Sequence, residues 1–142
     1  MDCSLPSRKA NDEEKHMPTP NPQQMTAYRD KTELAVEQFG DSSAAPVLLI
    51  HGAGNSLTAW PPSFCAELAQ NRPVIRYDTR DAGQSTTWPV GEPGYTLPDL
   101  VEDASSVLTA TGRDSAHVVG VCPWAARSPS CSRSIILHRS RR

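Results

Sequence analysis

Two short glycine-bearing loops hold most of the residues that could do chemistry. The first is His51-Gly52-Ala53-Gly54-Asn55-Ser56, directly after the apolar run PVLLI. Glycines there let the backbone turn tightly, so that an amide N–H, that of Ala53 foremost, points at a developing negative charge, as in an oxyanion hole. A dinucleotide fingerprint is the rival, since Gly52 and Gly54 follow a strand with GxG spacing, but the third glycine of that pattern falls on Leu57. A plain structural turn is the remaining alternative. The second loop is DTRDAGQST, residues 78–86, which follows the strand-like segment PVIRY. Ser85 in it resembles a nucleophile only superficially: GxSxG needs glycine at position 87, where Thr87 stands, so Ser85 reads as a loop residue. Cys3, Cys65, Cys122 and Cys131 have no CxxC spacing, and His16, His51, His117 and His138 are equally dispersed. No metal site and no cofactor are expected, and the cysteines read as free thiols of a reducing compartment.

The elements that position these loops follow from apolar spacing. Leu34 and Val36 alternate with Glu33 and Glu37, which predicts two short strands or a hairpin over Tyr28 to Phe39. Pro46 to Ile50 is apolar on both faces and suits a central strand covered on both sides. Trp60, Phe64 and Leu68 have helical spacing over 57–70, with Pro61 and Pro62 in the first turn. Pro73 to Tyr77 is another strand. Leu97, Leu100, Val101, Ala104, Val107 and Leu108 form the stripe of a helix packed on a sheet, with Thr96 and Asp99 as a capping pattern and Gly112 as the stop. Ala116 to Val121 is the last strand. Strand, helix, strand, helix, strand implies an α/β fold with a mostly parallel sheet, whose ligands meet the carboxyl ends of the strands.

The length of 142 residues, 37% of them hydrophobic and 21% charged with a net charge of −2, describes one soluble domain without a membrane-spanning run. The polar N-terminal stretch with Arg8, Lys9, Glu13, Glu14 and Lys15 lacks the apolar segment of a secretory signal, so a cytoplasmic location is expected. Pro6, Pro18, Pro20 and Pro22 interrupt that stretch, and residues 1–27 are expected to be disordered. Met1, Met17 and Met25 are each a candidate start. Residues 122–142 carry five arginines and no acid, whereas residues 1–121 carry nine basic and sixteen acidic side chains. The basic tail shows neither interleaved aromatics nor a helical face, which argues against nucleic-acid binding.

Taken together, VLLIHGAGNSLTAW, VIRYDTRDAGQST, the helix over 97–112 and HVVGV resemble, in order, the first half of an α/β-hydrolase over residues 28–121. The turn DTRDAGQS, with Asp81 where many relatives have glycine, is similar to that of methylesterases of aromatic polyketides. The resemblance implies hydrolysis of a small-molecule ester or similar bond, with His51, Gly52 and Ala53 in the oxyanion loop. It also makes Gly120 the first glycine of the nucleophile elbow and puts Cys122 at the nucleophile position. The pattern then breaks. Pro123 has no backbone N–H to donate to the oxyanion, Trp124 replaces the second elbow glycine, and no Asp or Glu follows Asp114 to serve as triad acid. The chain is therefore expected to be a truncated, esterase-like hydrolase without a competent catalytic set. A non-catalytic binding or regulatory protein that uses the half-sheet and the basic tail is the alternative. An active cysteine hydrolase completed by a partner chain still fails at Pro123.

The genetic code offers a reason for the break. When residues 122–136 are written as codons and read two bases later, the frame can encode SMGGAIAQLLALDH, which restores GxSxG and an apolar helix behind it. The tail is accordingly expected to be an out-of-frame reading, a frameshift near codon 121, and to be disordered. A half-sheet without the helix after Val121 is expected to leave apolar strand surface uncovered and an open edge.

Overall fold

The computed structural model of the chain describes residues 21–121 and the backbone of 135–138. The first two strands, β1 (Gln23–Arg29) and β2 (Thr32–Phe39), form an antiparallel hairpin whose turn places Asp30 at φ 53°. Then follow β3 (Val47–Ile50), a 3₁₀ turn over Leu57–Ala59, α1 (Pro62–Leu68), β4 (Val74–Tyr77), α2 (Leu97–Ala110) and β5 (Ser115–Gly120). A last strand, β6 (Ile135–His138), lies against β5. The sheet order is β1-β2-β4-β3-β5-β6. It is parallel in its centre, where β4, β3 and β5 run together, and antiparallel at both edges.

Side-chain alternation assigns each helix a face. Leu48, Ile75, Tyr77, Ala116 and Val118 pack with Ala104, Val107 and Leu108 of α2, while Leu49 and Val74 pack with Phe39 and with Cys65 of α1. All four residues of β4 are buried, as a strand with cover on both faces requires. Cys65 is wholly buried, and that burial pushes its thiol pKa up.

Three expectations change. The disordered segment was expected to reach residue 27, yet Gln23–Ala27 pair in register with Ala35 to Gln38 or face Leu34, and Ala27 is fully buried. Met25 and Ala27 alternate toward the core, a period hidden beside the preceding prolines. The helix over 57–70 is broken, because Trp60 and Pro61 are extended, each preceding a proline that disfavours helical backbone. The tail is not wholly without structure, since the β-favouring run Ile135–His138 supplies β6 to the edge expected to stay open. The remaining expectations for disorder, at 1–20, 122–134 and 139–142, lie outside the described residues.

Both ends of α2 are closed as its sequence predicts. The Thr96 N–H donates to the Asp99 carboxylate at 2.7 Å, which holds that carboxyl below its usual range. At the other end Gly112, at φ 68°, donates to Thr109 and the Arg113 N–H to Leu108, a Schellman closure. No helix among the described residues is long and apolar enough to cross a membrane.

Candidate active site

The loops after β3 and β4 meet at the carboxyl ends of the strands and face a cavity of about 760 Å³. Its floor includes Ile50 and Tyr77, one rim is Ala53 and Gly54, and the far wall is the first half of α2. Leu97 and Val101 belonged to the predicted buried stripe, but they are exposed and line this cavity instead of packing on the sheet. Burial in an apolar setting, with the charge of Asp103 nearby, pushes the Tyr77 phenol pKa up, so it stays neutral.

Polar links between the two loops fix the shape of the rim. The His51 ring is buried; its Nδ1–H donates to the Gly52 carbonyl at 3.0 Å and its Nε2 accepts from the Thr79 N–H at 3.2 Å. These partners assign the neutral tautomer protonated on Nδ1. Asn55 N–H closes the turn on Gly52 O at 3.2 Å, and Ala53 sits exposed at its tip. Asp78, also buried, accepts from the Leu57 N–H at 2.6 Å with one oxygen and from the Gln84 N–H at 2.9 Å with the other. Gly83, at φ 51°, passes so close to this carboxylate that no side chain fits there. Ser85 is committed to the same scaffold, donating to Asp78 O at 2.7 Å and accepting from the Ala35 N–H at 3.0 Å. It is a structural residue, as its sequence context predicts.

In the cavity wall the Arg80 guanidinium forms a two-point pair with Asp103, Nε to Oδ2 at 2.6 Å and Nη2 to Oδ1 at 2.8 Å. The same guanidinium lies over the rings of Trp88 and Tyr95, 5.4 and 5.3 Å from their centroids. Its hydrogen bonds to Asp103 raise an already high pKa, so the group is a permanent cation. Asp81, beside it, accepts from the Trp88 N–H and from the Tyr95 hydroxyl, each at 2.6 Å. That hydroxyl is harder to ionise for it.

The expected oxyanion residues His51, Gly52 and Ala53 are thus together at the end of β3, while Cys122 lies outside the described residues. Sequence reasoning missed Asp78, Arg80 and Asp103. The one available signal was Asp103 itself, a carboxylate on the buried face of α2 between Leu100 and Val107, where an acid needs a cation partner. Among the described residues no group of histidines, cysteines or acids could hold a metal ion.

Comparison with known proteins gives concordant matches. Residues 45–122 match the family model described as alpha/beta hydrolase fold. Rhodomycin D methylesterase DauP of Streptomyces sp. (strain C5) is 40% identical over 94 residues, 66% of this chain and 32% of the relative. 3-Oxoadipate enol-lactonase 1 of Acinetobacter baylyi is 31% identical over 97 residues, 68% of this chain and 35% of the relative. Among solved structures, the enol-lactonase from Burkholderia xenovorans LB400 superposes with a TM-score of 0.59 at 29% identity, over 68% of this chain and 36% of that one. A hydrolase from Pseudomonas aeruginosa PA01 gives 0.59 at 29% identity, over 72% and 37%. The chain therefore spans about a third of the length of the curated relatives it matches.

Proposed function

The chain belongs to the α/β-hydrolase fold family, and on that premise we propose that its 51–56 loop is the oxyanion half of a site for small-molecule esters, and that this polypeptide does not itself turn them over. In this reading the Ala53 N–H is one donor, His51 and Gly52 shape the turn that presents it, and Cys122 stands at the nucleophile position. Pro123 carries the reading of inactivity, because the residue after the nucleophile must give the second N–H and proline has none. Loss of one such donor alone costs about 10²–10³ in turnover. Esterase assays with short activated esters are expected to give the same rate for the native chain and for Cys122→Ala. Turnover that disappears in Cys122→Ala would overturn the reading.

We infer that the sequence from Cys122 onward is an out-of-frame product. Sequencing the coding DNA across codon 121 is expected to reveal, two bases out of register, a longer open frame holding GxSxG, then an acid, then a histidine. An early stop in that frame counts against it.

One observation favours the second reading, a binding protein: the described residues that line the cavity, Ile50 to Ala104, all precede the break at Cys122. Binding that depends on the arginine tail and weakens steeply with salt would select that reading.

A further inference from the structure

Asp81 occupies a backbone position that ordinarily suits glycine. Its φ of 61° lies in the left-handed region, which costs an L-residue free energy that glycine avoids. A side chain with an acceptor oxygen there is explained by what it reaches. One oxygen receives the Trp88 N–H and the other the Tyr95 hydroxyl, both at 2.6 Å. Trp88 lies in the middle of the segment between β4 and α2 and Tyr95 near its end, and their rings meet edge to face at 5.2 Å. Gly94 lets the segment close on itself, since a Cβ there would come within 2.6 Å of Trp88 Nε1. Tyr95 and Asp81 both line the cavity. Arg80 makes the opposite side of the aromatic pair, and Asp103 already holds it rigid.

From this geometry we propose that Asp81 is a positioning residue that fixes Tyr95 in the cavity wall, directly and through Trp88, whose ring supports it, and so sets the affinity for flat apolar ligands. The inference rests on the reading of the cavity as the ligand site. Glycine at this position would keep the turn and relieve the backbone, but would release the wall. Tyr95 would then be held by ring contacts alone, and the cavity would lose a defined side.

The test uses the full chain and the neutral fluorescent probe N-phenyl-1-naphthylamine, whose lack of charge separates wall geometry from the charge of Asp81. Asp81→Gly is expected to keep a cooperative transition near the native temperature, because relief of the left-handed backbone offsets part of the loss of two solvent-exposed hydrogen bonds, while the Trp88 amide exchanges roughly tenfold faster or more and the probe binds roughly tenfold more weakly. Tyr95→Phe, which keeps the Trp88 bond, is expected to fall between. Asp81→Asn restores both readouts toward native, because asparagine also adopts left-handed backbone and its amide oxygen can receive the Trp88 N–H. Unchanged Trp88 exchange in Asp81→Gly overturns the proposal whatever the probe does, and so does equal probe affinity in the two proteins. A native chain that does not bind the probe sinks the assignment of the cavity as a ligand site, and with it the affinity half of the proposal; the exchange comparison then decides the wall alone.

Discussion

Asp103→Ala is expected to lower stability by about 3–5 kcal/mol, the range seen when one member of a buried ion pair is removed. The carboxylate side chain is 1% exposed and its partner guanidinium 6%. Removing the acid leaves the Arg80 cation in the cavity wall without its two-point partner, with two aromatic faces and the more distant charge of Asp99 as its remaining attractions. Arg29, whose Nη1 lies 3.5 Å from the same carboxylate, keeps Asp99 as an alternative partner and so limits the damage on that side. A domain of this size holds only about 5–15 kcal/mol in total, so the variant is expected to melt well over 10 °C lower or to lose a cooperative transition. The decisive comparison is the double substitution Asp103→Leu with Arg80→Met, which removes both charges and should recover most of the loss. A single variant that melts with the native chain would show that the pair is solvated and that α2 is held by its apolar residues alone.

That ion pair also shows where sequence reading stops. The strand β3 is legible as an unbroken apolar run, β4 and β5 as short runs in which apolar residues flank Arg76 and His117, and the second half of α2 because Ala104, Val107 and Leu108 repeat on one face and bury as spaced. The first half of the same stripe carries identical spacing, yet Leu97 and Val101 face the cavity. Periodicity marks a helix face without saying whether protein or a ligand space lies opposite it. The glycines of 51–56 announce a tight turn, which is a local property and therefore visible. What holds the turn is not local: His51 meets Thr79, Asp78 meets Leu57 and Arg80 meets Asp103, pairs separated by 28, 21 and 23 residues. Each requires the order of strands in the sheet, so the types of these residues were readable and their partners were not. The start of β1 was lost for a related reason, because Met25 and Ala27 gain their burial from β2 and α2 and have no strong run of their own.

Gly83→Ala is expected to be nearly as damaging, although Gly83 is exposed in a loop. A Cβ added there would lie 2.0 Å from Oδ2 and 2.3 Å from Cγ of Asp78, separations that no relaxation of the alanine itself can remove. The backbone at φ 51° adds a penalty of about 1 kcal/mol or more for any L-residue. Room can be made only by moving the buried carboxylate, which then gives up the N–H groups of Leu57 and Gln84. Hydrogen bonds to an ionised group are worth about 1.5–3 kcal/mol each, so the combined loss is on the order of 4 kcal/mol or more. Gly112→Ala provides the matched control. It has a similar φ of 68° but nothing within 4 Å of an added Cβ, so it should show only the backbone penalty. The two variants are expected to differ by several kcal/mol in chemical denaturation, and the Leu57 amide should lose protection in Gly83→Ala alone. Equal stabilities would mean that Asp78 can turn away at little cost, and then the link between the 51–57 loop and the turn after β4 would not be what holds Ala53 at the cavity rim.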